Sequence, residues 1–266
     1  MGAVSSMGRG FAVLDALATH AQHHRAPATV TEVALAAGRE RSQTSRVLTA
    51  LAANGLAERD SLGYQLSPLV YASTQALTAR RLLTEGLTAL EQLSATTGEA
   101  CFLGELYGDS TVTIAEALPR GQRLITSWVG RAYPAFCSDA GQAVLWDAED
   151  DEVSAVLART DFSSGGPRAA RDITEFIARI REARSRGYSI VDEEAEPGLL
   201  SVAAPVHDFR GEVIAAMQIV GPRVRLEERV EALGLACRTA ADELSRALGA
   251  PSDVRDKLPA SAPTTA

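Results

Sequence analysis

Gly38-Arg39-Glu40-Arg41-Ser42-Gln43-Thr44-Ser45-Arg46-Val47-Leu48 is the stretch that decides the fold of the amino-terminal part. A glycine supplies a turn. The residues after it can donate or accept hydrogen bonds, and apolar residues resume only at Val47. A helix opened by Ser42 or a polar neighbour and running through Ala53 turns Val47, Leu48 and Leu51 inward, and Asn54-Gly55 closes it. Upstream, Thr31 is a suitable N-cap for a short helix from Glu32 to Ala37, with Val33 and Ala36 or Ala37 facing inward. Before that, Phe11, Leu14, Leu17 and Ala18 form an apolar stripe on a helix that should end near His20 to His24, ahead of Pro27. Downstream, Leu56 to Arg59 and Tyr64 to Leu66 flank Asp60-Ser61-Leu62-Gly63, a plausible hairpin. Three small helices and a hairpin over residues 7–67 make the plan of a winged helix-turn-helix domain.

In that plan the third helix enters the major groove with its first turns. Arg39, Arg41, Ser42, Gln43, Thr44, Ser45 and Arg46 are then the expected DNA-binding residues, with Arg59 and Tyr64 in the wing reaching phosphate or the minor groove. The net charge of −8, taken as a sum, opposes this reading. The charge is unevenly spread, however: residues 1–75 carry six Arg against five acidic residues, and nearly all the excess acidity lies beyond them. The first part can therefore approach phosphate.

The 266 residues, 46% hydrophobic and 23% charged, fit one large or two smaller globular domains. No apolar run approaches the roughly 20 residues of a membrane helix. No basic segment leads into an apolar run at the start, so the cytoplasm is the expected compartment. Cys101, Cys137 and Cys237 are far apart and odd in number, which implies neither a disulfide framework nor a zinc cluster. His20, His23 and His24 have no Cys or acidic residue spaced to complete a metal site. No cofactor motif is present.

After Pro68 a long helix, Leu69 to Thr96 with a break at Gly86, is expected to join the two parts as a linker over 68–97. Glu99 to Leu106 and Ser110 to Ala117 read as strands about Gly108-Asp109, and Leu124 to Val129 as another. Asp147 to Glu152 looks like a helix start. Ile173 to Gly187 is an amphipathic helix with Phe176, Ile177, Ile180 and Ala183 inward. Tyr188 to Val191, Leu200 to Val206 and Val213 to Val220 are strands, the last two joined by a loop holding a solvated His207. A final helix spans about Leu226 to Leu248. The Pro-, Ala-, Ser- and Thr-rich tail over 250–266 is expected to be disordered.

Several stretches taken together resemble the IclR family of bacterial transcriptional regulators. They are Arg41 to Leu48 with Leu51 and Asn54-Gly55-Leu56; Thr97-Gly98-Glu99; Gly130 with Tyr133-Pro134; Ala140-Gly141-Gln142-Ala143-Val144-Leu145; Arg186-Gly187-Tyr188 with Asp192 and Glu194; and Gly198 to Val206 with Gly211. The resemblance implies an α+β protein. Its winged helix-turn-helix would be joined by a long helix to a GAF-like α/β effector domain over 98–249 with a mostly antiparallel sheet. It implies homodimers or homotetramers on palindromic double-stranded DNA operators, modulated by a small-molecule effector, with repression favoured over activation. An alternative is a winged-helix regulator whose degenerate sensor serves only oligomerisation.

By the same resemblance the effector pocket would be lined by Ala140 and Gly141, Asp192, Ser201, Gln218 and Val220. Alternation along the strand independently puts Gln218 and Val220 on one face with Ala216, opposite Met217 and Ile219. Phe102, Trp128, Phe136 and Met217 could supply apolar walls. Asp139 precedes Ala140-Gly141-Gln142 in the pattern of a capping box, which would occupy the helix donors that could otherwise hold a carboxylate. A neutral or amine-bearing, hydroxylated or aromatic effector is therefore expected. An enzyme is not: adjacent Asp192 and Glu193 would point to opposite faces of a strand, and GxSxG, P-loop, GxGxxG and HExxH patterns are lacking.

Overall fold

A computed structural model describes residues 6–24, 26–121 and 126–252. The chain divides into two units, residues 1–77 and 78–266. In the first, α1 (Ser6–His23), α2 (Val30–Ala36) and α3 (Arg41–Ala53) are followed by an antiparallel hairpin, β1 (Ala57–Arg59) with β2 (Tyr64–Leu66). Gly38, at φ +61°, makes the turn between α2 and α3 that only glycine adopts without strain.

Local chemistry corrects the expected start of α2. Thr29, not Thr31, is its N-cap: the Thr29 hydroxyl accepts from the Glu32 N–H, and the Glu32 carboxylate accepts from the Thr29 N–H at 2.7 Å. The inward face of α1 is also rotated from the expected stripe. Val13, Ala16 and Leu17 are buried, while Phe11 is 63% exposed.

α4 (Pro68–Thr97) begins in the first unit and continues into the second. It runs unbroken through Gly86. A Cβ there would lie 3.0 Å from Leu103 Cδ2, so this glycine serves a close approach of helix to sheet rather than a break.

The second unit is built on a six-stranded antiparallel sheet in the order β5-β4-β3-β8-β7-β6. Its strands are β3 (Ala100–Tyr107), β4 (Ser110–Ala117), β5 (Ala132–Pro134), β6 (Ser189–Asp192), β7 (Leu199–His207) and β8 (Val213–Pro222). The expected strand Leu124 to Val129 falls partly outside the described residues, and residues 126–129 are not extended into a strand; the edge strand is β5 instead. The expected terminal helix is in fact α8 (Arg223–Leu226), a 3-10 turn, and α9 (Val230–Ala247). From residue 253 the expected tail lies outside the described residues.

The sheet has a core on each face. On one, Cys101, Leu103, Met217 and Ile219 pack with Leu82 and Leu90 of α4 and Leu233, Cys237 and Leu244 of α9. On the other, Ala203 and Ala216 pack with α5 (Gly141–Val144), α6 (Asp150–Val156) and α7 (Ile173–Arg186) through Ala143, Val153, Phe176 and Ile180. Helices thus cover part of each face, and the uncovered part of the second face forms a cavity.

Candidate DNA-reading helix and ligand cavity

α3 turns Thr44, Leu48 and Leu51 inward, at helical spacing i, i+4 and i+7. Arg41, Ser42, Gln43 and Arg46 are consequently exposed, while Ser45 and Arg39 are half-buried. Two expected DNA contacts are corrected here. Thr44 is 0% exposed and donates its hydroxyl to the Glu40 carbonyl at 3.0 Å, so it secures the helix start and reaches no groove. Tyr64 is 3% exposed because it packs with Val13, Leu17, Val33 and Leu48 in the core of this unit. Arg59 is exposed on the wing, with its guanidinium 5.5 Å from the centre of the Tyr64 ring. Tyr64 therefore positions a cation instead of making the contact.

In the second unit a cavity of about 290 Å³ opens over β3, β4 and β8. Register explains its floor. Phe102 pairs with Gln218 and Ala100 with Val220, so these four side chains share one face. Thr111 and Thr113 of β4 line it as well. Trp128 stacks on Tyr133, with ring centres 5.7 Å apart, and meets Phe102 edge-on at 6.5 Å. The Trp128 backbone N–H donates to the Glu116 carboxylate at 2.8 Å, which anchors the chain at this aromatic wall.

Asp139, Glu196 and Arg225 are the charged lining residues among those described. Asp139 does not cap the following helix. That helix has only four residues, its N-cap is Ala140, and it receives no side-chain cap. The Asp139 carboxylate instead accepts the Ser201 hydroxyl at 2.5 Å. Burial pushes the Asp139 carboxyl up to about 6, against the Ser201 hydrogen bond, and Glu196 raises it further. The Glu196 carboxylate accepts the Tyr133 hydroxyl at 2.9 Å, and burial with that bond drives the phenol up to about 12. Arg225 is already engaged: its Nε and Nη2 both donate to Glu99, a buried carboxylate that also binds Arg229.

Of the expected effector residues, Phe102, Trp128, Asp139, Gln218 and Val220 line the cavity, and Ser201 stands behind Asp139. The others do not. Phe136 is wholly buried against Phe162, 4.7 Å between ring centres, and Ala140 and Gly141 are buried among the same helices. Met217 belongs to the opposite face of β8. Asp192 is held by Arg168 and Arg223. Asp192 and Glu193, expected on opposite faces of a strand, in fact share Arg168, because β6 ends at Asp192 and Glu193 turns out of it at φ +56°; Glu194 is on Arg179. His207 is buried rather than solvated, with Nε2 3.2 Å from Asp147. Sequence reasoning missed Thr111, Thr113, Tyr133, Ser138, Glu196, Leu199 and Arg225 as lining residues. Strand alternation could have found the two threonines.

Among the described residues no cluster of three or more His, Cys, Asp or Glu is placed to hold a metal. His20 and His24 stack on each other at 4.5 Å, and the His20 Nε2 lies 3.0 Å from the Ala26 carbonyl. No described helix is long and apolar enough to cross a membrane.

A helix-turn-helix whose third helix exposes polar residues, on one chain with an antiparallel-sheet domain that bears a cavity, defines a class: DNA-binding regulators with a second domain. Residues 6–61 match the IclR helix-turn-helix domain, and residues 74–246 match the bacterial transcriptional regulator IclR C-terminal domain. The chain belongs to the IclR family of bacterial transcriptional regulators. It is 30% identical over 234 residues to the Pca regulon regulatory protein of Pseudomonas putida, covering 85% of this chain and 79% of that one. It is 27% identical to the HTH-type transcriptional repressor AllR of Escherichia coli K12, covering 92% and 90%. Among solved structures, the transcriptional regulator RHA06195 from Rhodococcus sp. RHA1 is similar at a TM-score of 0.58 and 28% identity, covering 92% of this chain and 98% of that one.

Proposed function

We propose that this chain is a cytoplasmic, homo-oligomeric transcription factor, more a repressor than an activator, whose hold on a palindromic operator is modulated by a small molecule in the β3–β4–β8 cavity. The winged-helix reader covers residues 7–67, the connecting helix 68–97 and the sensor 98–249. The observation that carries the reading is the cavity itself. A domain used only to oligomerise has no need of a half-open cavity with an aromatic wall and charged groups on its lining. Repression is favoured because a relative as similar as AllR is a repressor. Ligand control follows population-shift logic: the molecule must bind one arrangement of the assembly more tightly than another.

Arg41, Ser42, Gln43 and Arg46 are the base and phosphate readers in this proposal, with Arg59 on phosphate and Arg39 and Ser45 at the margin. One short reading helix touches too few base pairs to be selective, so two copies on a two-fold site are required. A catalytic role is disfavoured by the cavity chemistry. Ser201, whose hydroxyl Asp139 accepts, is wholly buried and off the cavity lining, and Tyr133 is held by Glu196, so neither is placed to attack a guest.

The test is selection of duplex DNA from a random pool by the full chain. A palindromic winner with half-sites about one helical turn apart, or a multiple, supports the reading. No enrichment at low salt, with and without added cell metabolites, would refute it.

A further inference from the structure

We propose that the cavity takes a ligand carrying a protonated amine on a small aromatic body, the ammonium seated between Asp139 and Glu196 and the body laid against Phe102 and Trp128. The inference rests on the sensor reading above and specifies its ligand.

The first ground is how this domain treats its other carboxylates. Glu99 is bound by Arg225 and Arg229, Asp192 by Arg168 and Arg223, Glu193 by Arg168 and Glu194 by Arg179. Other half-buried acids take neutral donors: Asp109 accepts the Ser110 and Thr160 hydroxyls, and Glu116 the Trp128 backbone N–H. Asp139 and Glu196 are of this second kind, and they are the two that line the cavity. Their partners are hydroxyls, of Ser201 at 2.5 Å and Tyr133 at 2.9 Å, and no described cation pairs with either. Both line the same cavity: Glu196 pushes the Asp139 carboxyl up, and both carboxylates push up the Tyr133 phenol. A pair of carboxylates kept without a cation at the wall of a chamber is costly unless something of opposite charge arrives there.

The second ground is Arg225. It is the one cation among the described lining residues, and its Nε and Nη2 are held at 3.1 and 2.6 Å by Glu99. An entering carboxylate would have to compete with a buried anion for that guanidinium while facing two more. The third ground is shape. The stacked Trp128–Tyr133 pair and the edge of Phe102 present flat apolar surface beside the acidic end, which suits an aryl group; the Arg131 guanidinium already stands 4.9 Å from the Trp128 ring centre, so the ammonium is left to the carboxylates and not to that ring. A volume of about 290 Å³ limits the guest to a small one.

The test is calorimetric titration of the full chain at pH 7.5 with 2-phenylethylamine, tyramine and tryptamine. The matched acid 3-phenylpropanoate and the neutral 2-phenylethanol serve as comparisons. At least one amine should bind saturably, one per chain, and at least tenfold tighter than the acid. Asp139→Asn and Glu196→Gln should each weaken the amine about tenfold and leave 2-phenylethanol unchanged; if one variant fails to fold, the other carries the comparison. Tighter binding of the acid would overturn the amine assignment while leaving a ligand-sensing cavity in place. Amine binding indifferent to both substitutions would overturn it as well. So would the absence of saturable binding by every amine, and the operator selection then decides separately whether the regulator reading survives.

Discussion

Ser201 on β7 and Asp139 ahead of α5 are 62 residues apart, and the serine hydroxyl donates to the aspartate at 2.5 Å. That single bond is all the described structure offers this carboxylate. The groups around it are Glu196 and Glu194 from the β6–β7 connection, the latter on Arg179 of α7, and Tyr133 from β5. Its value of about 6 lies above the ordinary 3.8, so the folded protein holds a proton that the unfolded chain has released between those values. Stability should therefore fall as pH rises through this window, with the penalty fully present above about pH 6. Asp139→Asn keeps an acceptor for Ser201 and removes the charge. It should stabilise the protein at pH 7.5 by on the order of 3 kcal/mol and make little difference near pH 4. Urea denaturation at the two pH values checks this, and equal stability of the two proteins at pH 7.5 would count against it.

Glu99 restrains Arg225 at the edge of the cavity. Replacing it by Gln should free that guanidinium and reduce the cavity's bias against anions. Affinity for 3-phenylpropanoate should rise several-fold in Glu99→Gln while overall stability drops by roughly 1–3 kcal/mol. Calorimetry and thermal melting read the two effects separately.

The α2 cap gives a sharp pair of substitutions. Thr29→Ala removes the hydroxyl that meets the Glu32 N–H and should cost about 1 kcal/mol. Thr31→Ala, inside the first turn and exposed, should be close to neutral. Hydrogen exchange of the α2 amides distinguishes them.

On DNA, Arg41→Ala and Gln43→Ala should weaken the selected operator far more than random duplex, by about 1–3 kcal/mol each if they read bases. Arg59→Ala should weaken both alike and flatten the salt dependence. Equal losses on both DNAs for all three would refute the division. Thr44→Val is different in kind: it should lower the melting temperature with little direct effect on sequence preference, because Thr44 faces the core.

Much of the scaffold could be read from periodicity. Ser110–Ala117 is the strand that alternation predicts, and Ile173–Arg186 is the helix that its apolar spacing predicts, ending at Gly187 in the left-handed region. The same logic, carried further, would have buried Thr44, which sits one turn before Leu48, and kept Met217 out of the cavity. Those errors came from judging side chains by polarity or size instead of by face. The Asp139 error had another source. Its partner is distant in sequence, and a four-residue helix gives too few turns to announce where its cap lies. Tyr133 and Glu196 meet across 63 residues, from a short edge strand and an irregular connection, and no local pattern brings them together.

Along β8 the odd and even positions have separate duties: Met217 and Ile219 seal the packing against α4 and α9, whereas Gln218 and Val220 line the cavity. Mutational drift can thus retune what the chamber accepts, one alternate residue at a time, without disturbing the layer that keeps the domain folded. A single inserted or deleted residue in this strand allows no such gradualism, because it would exchange the two sets at once and bring methionine to the cavity and glutamine to the core. Descendants of this chain can be expected to change their chemical taste by substitution in β8, and their lengths only in the connections around it.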